Sequence, residues 1–250
     1  MNQRIPKIIH YCWLSNDPFP KDIEAFIDSW KIILPDYEFM LWDLNRDQIG
    51  ENLWVKQSFQ AKKYAFAADY IRIYALHKYG GIYLDTDVEV IKSFDDLLDL
   101  PYFVGTEGSN WIEAAILGAE KSADWLKDIL VYFDKPFINT AGSYAMITLP
   151  QVMNGIIEKR RKITVANQKE IFEKADQNYG THFYLFEEDF FSPKNMGTGL
   201  ITKTSNTYAI HHFAMSWIPV NKKLIPNFKR SLMKLFGVNT INAFIKLIKK

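Results

Sequence analysis

A chain of 250 residues that is 48% hydrophobic and 15% aromatic holds enough apolar material for one substantial core and is too apolar to stay disordered. Its single cysteine, Cys12, excludes an intrachain disulfide and a cysteine-rich zinc cluster. The net charge of +1 conceals a division: eight cations and no acidic residue in 222–250 give that segment +8, leaving −7 on residues 1–221, a body ill suited to general nucleic-acid binding.

The opening segment Met1 to Pro6 lacks a long apolar run and a small-residue cleavage site, and no stretch of about 20 apolar residues occurs, so a spanning helix is not expected and a reducing, cytoplasmic setting is. Lys7 to Tyr11 reads as a buried first strand in which His10 is structural. Asp22 to Leu34 has helical periodicity, with Ile23, Phe26, Ile27 and Trp30 on one face and Pro35 ending it. Tyr37 to Trp42 is a second strand. Ala61 to Tyr79 is a helix whose apolar face is Tyr64, Ala65, Ala68, Ile71, Ala75 and Leu76, closed by Gly80-Gly81. Further strands are expected at Tyr102 to Thr106, Ile112 to Leu117, Tyr184 to Phe186 and Tyr208 to His212, and helices at Ala123 to Phe133 and Gln151 to Arg160. Strands alternating with helices, without a repeat or long linker, imply one α/β layered domain with ligands at strand carboxyl ends.

The chemistry concentrates in Tyr79-Gly80-Gly81-Ile82-Tyr83-Leu84-Asp85-Thr86-Asp87-Val88-Glu89. An apolar strand runs into two carboxylates spaced i, i+2, and a period of two would turn both to one side. Two such carboxylates make a hard-oxygen site suited to Mg²⁺ or Mn²⁺ carrying a substrate's phosphates. Other readings stay open. An aspartic protease would need Asp-Thr-Gly twice, and here the third residue is Asp87 without a second copy. A dehalogenase-type phosphotransferase would use Asp85 as nucleophile, although Glu89 stands at the fifth position and no downstream Gly-Asp completes its metal site. A solvated strand end without function is the plainest alternative.

Asp69 and Arg72, at i, i+3, share a helix face. They are either a surface ion pair worth under about 1 kcal/mol or, among Ala67, Ala68, Ile71 and Ile73, an enclosed pair that needs polar partners such as sugar hydroxyls and phosphates. Trp13 taken alone is core. Of the adjacent His211 and His212, consecutive strand residues, only one can face a given metal.

Taken together, Ile5-Pro6-Lys7-Ile8-Ile9-His10-Tyr11-Cys12-Trp13, Trp30, Pro35-Asp36-Tyr37, Trp42-Asp43, the run from Ala61 to Arg72 and the run from Tyr79 to Ile91 resemble glycosyltransferase family 32, with a weaker match at His211 to Trp217. The resemblance covers residues 5–98 closely, 102–217 loosely and 222–250 not at all. It implies a GT-A, Rossmann-like three-layer α/β fold with a mixed central sheet, and retaining transfer of a hexose or N-acetylhexosamine from a nucleotide sugar, UDP being the expected nucleotide. It further implies that Trp13 stacks on the donor base, Asp69 and Arg72 hold the donor sugar, Asp85 contacts ribose and the metal shell, and Asp87 ligates Mn²⁺ or Mg²⁺ directly. His211, in preference to His212, would complete the metal site, with Ser216 and Trp217 near the diphosphate. Two positions depart from the family: Glu113 stands where many relatives have Asn, and Thr140-Ala141-Gly142-Ser143 where they often have Thr-Gly-Pro.

Residues 222–250 interleave cations with Phe228, Leu232, Leu235, Phe236, Ile241, Phe244 and Ile248, a pattern for a basic amphipathic helical tail broken near Gly237. Such a tail either packs on the domain as an ordinary terminal helix or lies on an anionic membrane surface. The expectation is therefore a glycosyltransferase domain over 1–221 and a membrane-surface tail over 222–250. Its acceptor would be a lipid-linked or growing surface polysaccharide, a glycan or glycolipid reached at the inner face of the membrane. A catalytically silent sugar-nucleotide-binding protein is the non-enzymatic alternative.

Overall fold

The computed structural model describes residues 3–15, 17–107, 111–195 and 198–214, together with 237 and 240. Seven strands form the main sheet: β1 (Ile8–Cys12), β2 (Glu38–Trp42), β3 (Gly81–Leu84), β5 (Tyr102–Thr106), β6 (Ile112–Ala119), β7 (Lys162–Ala166) and β8 (His182–Phe186), in the order β2-β1-β3-β6-β5-β8-β7. The sheet is mixed: β1 pairs in parallel with β2 and β3, β6 runs antiparallel to both β3 and β5, and β8 is parallel to β5 and β7. A second, two-stranded antiparallel sheet joins β4 (Val88–Val90) to β9 (Ala209–His211).

Alternation along the central strands builds a core on each face of the sheet. Met40, Trp42, Tyr83, Tyr102, Val104 and Leu117 point into one, packed against α2 (Leu53–Gln60), α3 (Tyr64–Tyr79), α4 (Asp124–Tyr132) and α5 (Leu149–Ile157). Ile9, Ile82, Leu84, Phe103 and Ile116 point into the other, covered by α1 (Lys21–Ile33), α6 (Gln168–Lys174), α7 (Glu188–Phe191) and the β4–β9 sheet. β3 is buried along its whole length, as a near-continuous apolar strand requires. The three layers and the mixed sheet are those expected from the sequence.

Between α3 and β3 the chain reverses at Gly80 and Gly81, with φ of +67° and +106°. A Cβ at Gly81 would stand 2.6 Å from the Ile8 carbonyl oxygen, so both the backbone conformation and the closeness of β1 demand glycine. The helix expected from Ala61 starts only at Tyr64, and a separate, unexpected helix precedes it. Lys62, at φ +56°, separates the two, and α2 (Leu53–Gln60) is capped by the Asn52 side chain, which accepts the Val55 N–H at 3.2 Å. The helix expected from Gln151 starts earlier, at Leu149, behind a Thr148–Gln151 capping box. Among the described residues no helix is long and apolar enough to cross a membrane. Of the basic tail only 237 and 240 are described, so the expected amphipathic helix lies outside the described residues.

Candidate active site

β3 leads straight into the acidic doublet, but strand alternation is not what brings the two carboxylates together. The Val88 N–H donates to the Asp85 carbonyl at 3.0 Å, so Asp85-Thr86-Asp87-Val88 is a reverse turn, and the carboxylates converge because the chain bends there. The Asp85 N–H is meanwhile fixed to the Ala115 carbonyl on β6 at 2.8 Å. Beyond the turn, β4 pairs with β9 so that Val88 lies opposite His211. The result is a cluster in which Asp85, Asp87 and His211 each offer one ligand atom, all within 4.8 Å of one another.

Asp87 is held from two sides. Its Oδ2 accepts the Ala214 N–H at 2.7 Å, and its Oδ1 lies 3.6 Å from His211 Nε2, too far for a hydrogen bond. Burial pushes the Asp87 carboxyl upward, but His211 and the backbone donor outweigh it and hold it below the ordinary carboxylate range. Asp85 goes the other way: burial raises it against the pull of Arg72, and the neighbouring Asp87 adds to the rise. Hard and borderline donors in this set fit Mn²⁺ or Mg²⁺.

Arg72, buried on α3, ties this cluster to the helix. Its Nη1 donates to the Ala114 carbonyl at 2.6 Å, its Nη2 lies 3.1 Å from Asp85 and 3.3 Å from Asp69, and its guanidinium stacks over Tyr83 at 4.7 Å. Thus the expectation of an enclosed Asp69–Arg72 pair holds, with side chains 14% and 7% exposed. Burial lifts Asp69 to about 7 even beside Arg72. Arg72 Nε is buried without a hydrogen-bond partner among the described residues.

The two adjacent histidines separate cleanly. His211 faces Asp87 and, through Nδ1 at 3.2 Å, Glu113. His212 turns away to Glu89 at 2.8 Å and stacks on Phe26 with centroids 4.6 Å apart. Trp13 follows β1, whose parallel register with β3 places it at the same end of the sheet as Asp85. It is half-buried, its indole N–H donates to the Asp17 carbonyl at 2.9 Å, and it packs on Phe19. Ser216 and Trp217 lie outside the described residues.

His10 is structural. The Trp42 indole donates to its Nδ1 at 3.1 Å, so Nε2 carries the proton and donates to the Gly80 carbonyl at 2.8 Å. Burial lowers it to about 4. In the sequence Glu113 stands out only as a departure from the family, without a role. The signal was present: one carboxylate inside the otherwise apolar Ile112–Ala119 strand, where burial demands partners.

Residues 20–104 match the family described as "Glycosyltransferase sugar-binding region containing DXD motif". The resemblance to glycosyltransferase family 32 drawn from the motifs is borne out over this region, which carries Asp69, Arg72, Asp85 and Asp87. The chain is 27% identical over 226 residues to inositol phosphoceramide mannosyltransferase 3 of Schizosaccharomyces pombe, covering 84% of this chain and 60% of that protein. It is 28% identical over 195 residues to mannosyl phosphorylinositol ceramide synthase SUR1 of Saccharomyces cerevisiae, covering 74% and 50%. The chain therefore spans about half the length of these relatives. Among solved structures, the PaToxG glycosyltransferase superposes with a TM-score of 0.47 at 19% identity, covering 62% of this chain and 68% of that one.

Proposed function

We propose that the chain is a retaining, divalent-metal-dependent glycosyltransferase that moves a hexose or N-acetylhexosamine from a nucleotide sugar, by resemblance a UDP-sugar, to a lipid-linked or growing surface glycan. The observation that carries this reading is the Asp85, Asp87 and His211 cluster bound through Arg72 to Asp69. Asp87 and His211 would hold Mn²⁺ or Mg²⁺, with Asp85 at its edge. A cation held there supplies stabilisation of the negative charge that gathers on the departing diphosphate. Asp69 and Arg72 would orient the donor sugar, and the Arg72 Nε–H, buried without a hydrogen-bond partner among the described residues, is a spare donor. Trp13 offers its ring face to the base.

Neither Glu113 nor Asp85 is free to act as nucleophile. Both oxygens of Glu113 accept hydrogen bonds, from the Ala115 N–H and the Ser192 hydroxyl, and those of Asp85 face Arg72. We infer attack by the acceptor hydroxyl on the same face as the leaving diphosphate, with positioning supplying most of the acceleration. Trapping of a sugar–enzyme adduct would exclude it.

The names of the fungal relatives describe mannosyl transfer to inositol phosphoceramide, which supports an acceptor attached to lipid; a place at the cytoplasmic membrane face is part of the proposal. The basic tail would supply the attachment, each cation near an anionic surface contributing about 1 kcal/mol. A chain cut after Asn221 should then lose flotation with anionic liposomes, and unchanged flotation would count against the tail. The deciding experiment is a thermal-shift screen of uridine and guanosine sugar nucleotides with Mn²⁺. The true donor raises the midpoint of the intact protein and not of Asp87→Ala, and Mn²⁺-dependent release of the nucleoside diphosphate accompanies it.

A further inference from the structure

Among the described residues Glu113 is the one buried carboxylate beside the metal cluster to which the proposed reaction gives no part. Its side chain is 2% exposed, and three groups fix it: the Ala115 N–H donates to Oε1 at 2.7 Å, the Ser192 hydroxyl donates to Oε2 at 2.6 Å, and His211 Nδ1 meets Oε2 at 3.2 Å. A carboxylate so placed accepts only, so Nδ1 of His211 must be the protonated nitrogen and Nε2 the one that presents a lone pair when the ring is neutral. Nε2 is also the atom that faces Asp87, at 3.6 Å. The ring's face is closed by Phe213, whose centroid lies 4.1 Å away. His211 hangs from the small β4–β9 sheet whereas Glu113 belongs to the central one, so their contact pins the histidine to the rigid body of the fold.

We propose that Glu113 is a positioning residue: it sets the tautomer and heading of His211, so that Nε2 is delivered to the ion held with Asp87, and Ser192 in turn orients Glu113. The proposal rests on the metal-dependent reading given above. An outer carboxylate that orients a ligating histidine typically changes metal affinity by about 10–100-fold when removed.

The test is Mn²⁺ binding alone to the full chain, followed by electron paramagnetic resonance of free and bound Mn²⁺, with circular dichroism and the metal-free melting midpoint recorded for each variant. Glu113→Gln keeps the shape and the acceptor for Ala115 while discarding the charge, and should weaken Mn²⁺ by about 10–100-fold and alter the bound line shape with the fold intact. Ser192→Ala should give a smaller loss in the same direction. A folded Glu113→Gln that binds Mn²⁺ with wild-type affinity and line shape overturns the proposal. If that variant does not fold, wild-type binding by Ser192→Ala overturns it instead. Should the wild type fail to bind Mn²⁺, or Asp87→Ala bind it equally well, the metal reading falls and this proposal falls with it.

Discussion

Two histidine environments on opposite sides of the site-bearing strands show how this protein separates structure from chemistry. His10, fully buried on β1, is surrounded by an indole donor, a backbone carbonyl and apolar core, and its pKa is driven down to about 4. His211, 14% exposed on β9, also suffers from burial, but Glu113 and Asp87 overcome that effect and carry its pKa well above 6.5. The same side chain is a neutral, fixed brace in one place and a crowded member of a charged cluster in the other. What distinguishes them is the charge of their neighbours rather than depth. A region whose carboxylates outnumber its fixed cations is set up to receive a cation, and a region without charges is set up to stay as it is.

The largest effect expected within the charged region is on stability. Arg72→Met should cost about 3–5 kcal/mol in denaturant unfolding, because it leaves Asp69 and Asp85 enclosed without their cation. A loss under about 1 kcal/mol would mean that those carboxylates find other partners and that the cluster is less crowded than it looks. Next comes turnover: Asp87→Ala should lower Mn²⁺-dependent donor hydrolysis by about 10²–10³-fold, assayed alongside a metal-free melt that establishes folding. Full activity in that variant would place Asp87 with His10 among the structural groups.

His10 yields a prediction in pH. Its folded pKa of about 4 lies below the unfolded 6.5, so the unfolded chain takes up a proton first as the pH falls. The His10 contribution is therefore complete above 6.5, declines between 6.5 and 4, and is constant below that, a total of about 3 kcal/mol. Asp69 acts oppositely across much of this window. Raised from 3.8 to about 7, it is protonated earlier in the folded state and so adds stability on acidification. Unfolding free energies of wild type and His10→Gln across the same pH range isolate the histidine: the difference should shrink by about 3 kcal/mol towards pH 4. A difference independent of pH would remove the contrast between the two environments.

Much of the first 119 residues was legible because their chemistry is local. Pro35 stops a helix, Gly80-Gly81 reverses the chain, and Val, Ile and Leu runs make strands, so β1, β2, β3, β5 and β6 are found within a residue or two of the expected limits. Asp69, Arg72, Asp85 and Asp87 could be singled out because a charge amid apolar neighbours needs a reason. The convergence of Asp85 with Asp87 was foreseen, but its cause was not. Alternation in a strand and a reverse turn leave the same i, i+2 spacing, and only the Val88-to-Asp85 hydrogen bond distinguishes them. β7 escaped notice because, as a half-exposed edge strand, its Lys162–Ala166 sequence lacks a continuous apolar run. α2 went unseen because its brief amphipathic pattern adjoins the stronger helix after it. Glu113 had no readable role since its partners, Ser192 and His211, lie 79 and 98 residues away in the chain.

The smallest effect expected is the sharpest check on which histidine belongs to the cluster. His212 is one residue from His211, just past the end of β9, yet it turns to the other side, where it meets Glu89 at 2.8 Å and stacks on Phe26 with the rings 20° from parallel. That contact is partly solvated, with side chains 19% and 36% exposed, which limits its worth to about 0–1 kcal/mol. His212→Phe keeps an aromatic ring for Phe26 and should lower stability by no more than about 1 kcal/mol while leaving Mn²⁺ affinity unchanged. His211→Phe, by contrast, should abolish tight Mn²⁺ binding, since it deletes a donor from the cluster. Equal losses of Mn²⁺ affinity in the two variants would show that β9 does not hold its register in solution. In that case a one-residue slip, which exchanges the faces of every side chain on the strand, would bring His212 to Asp87.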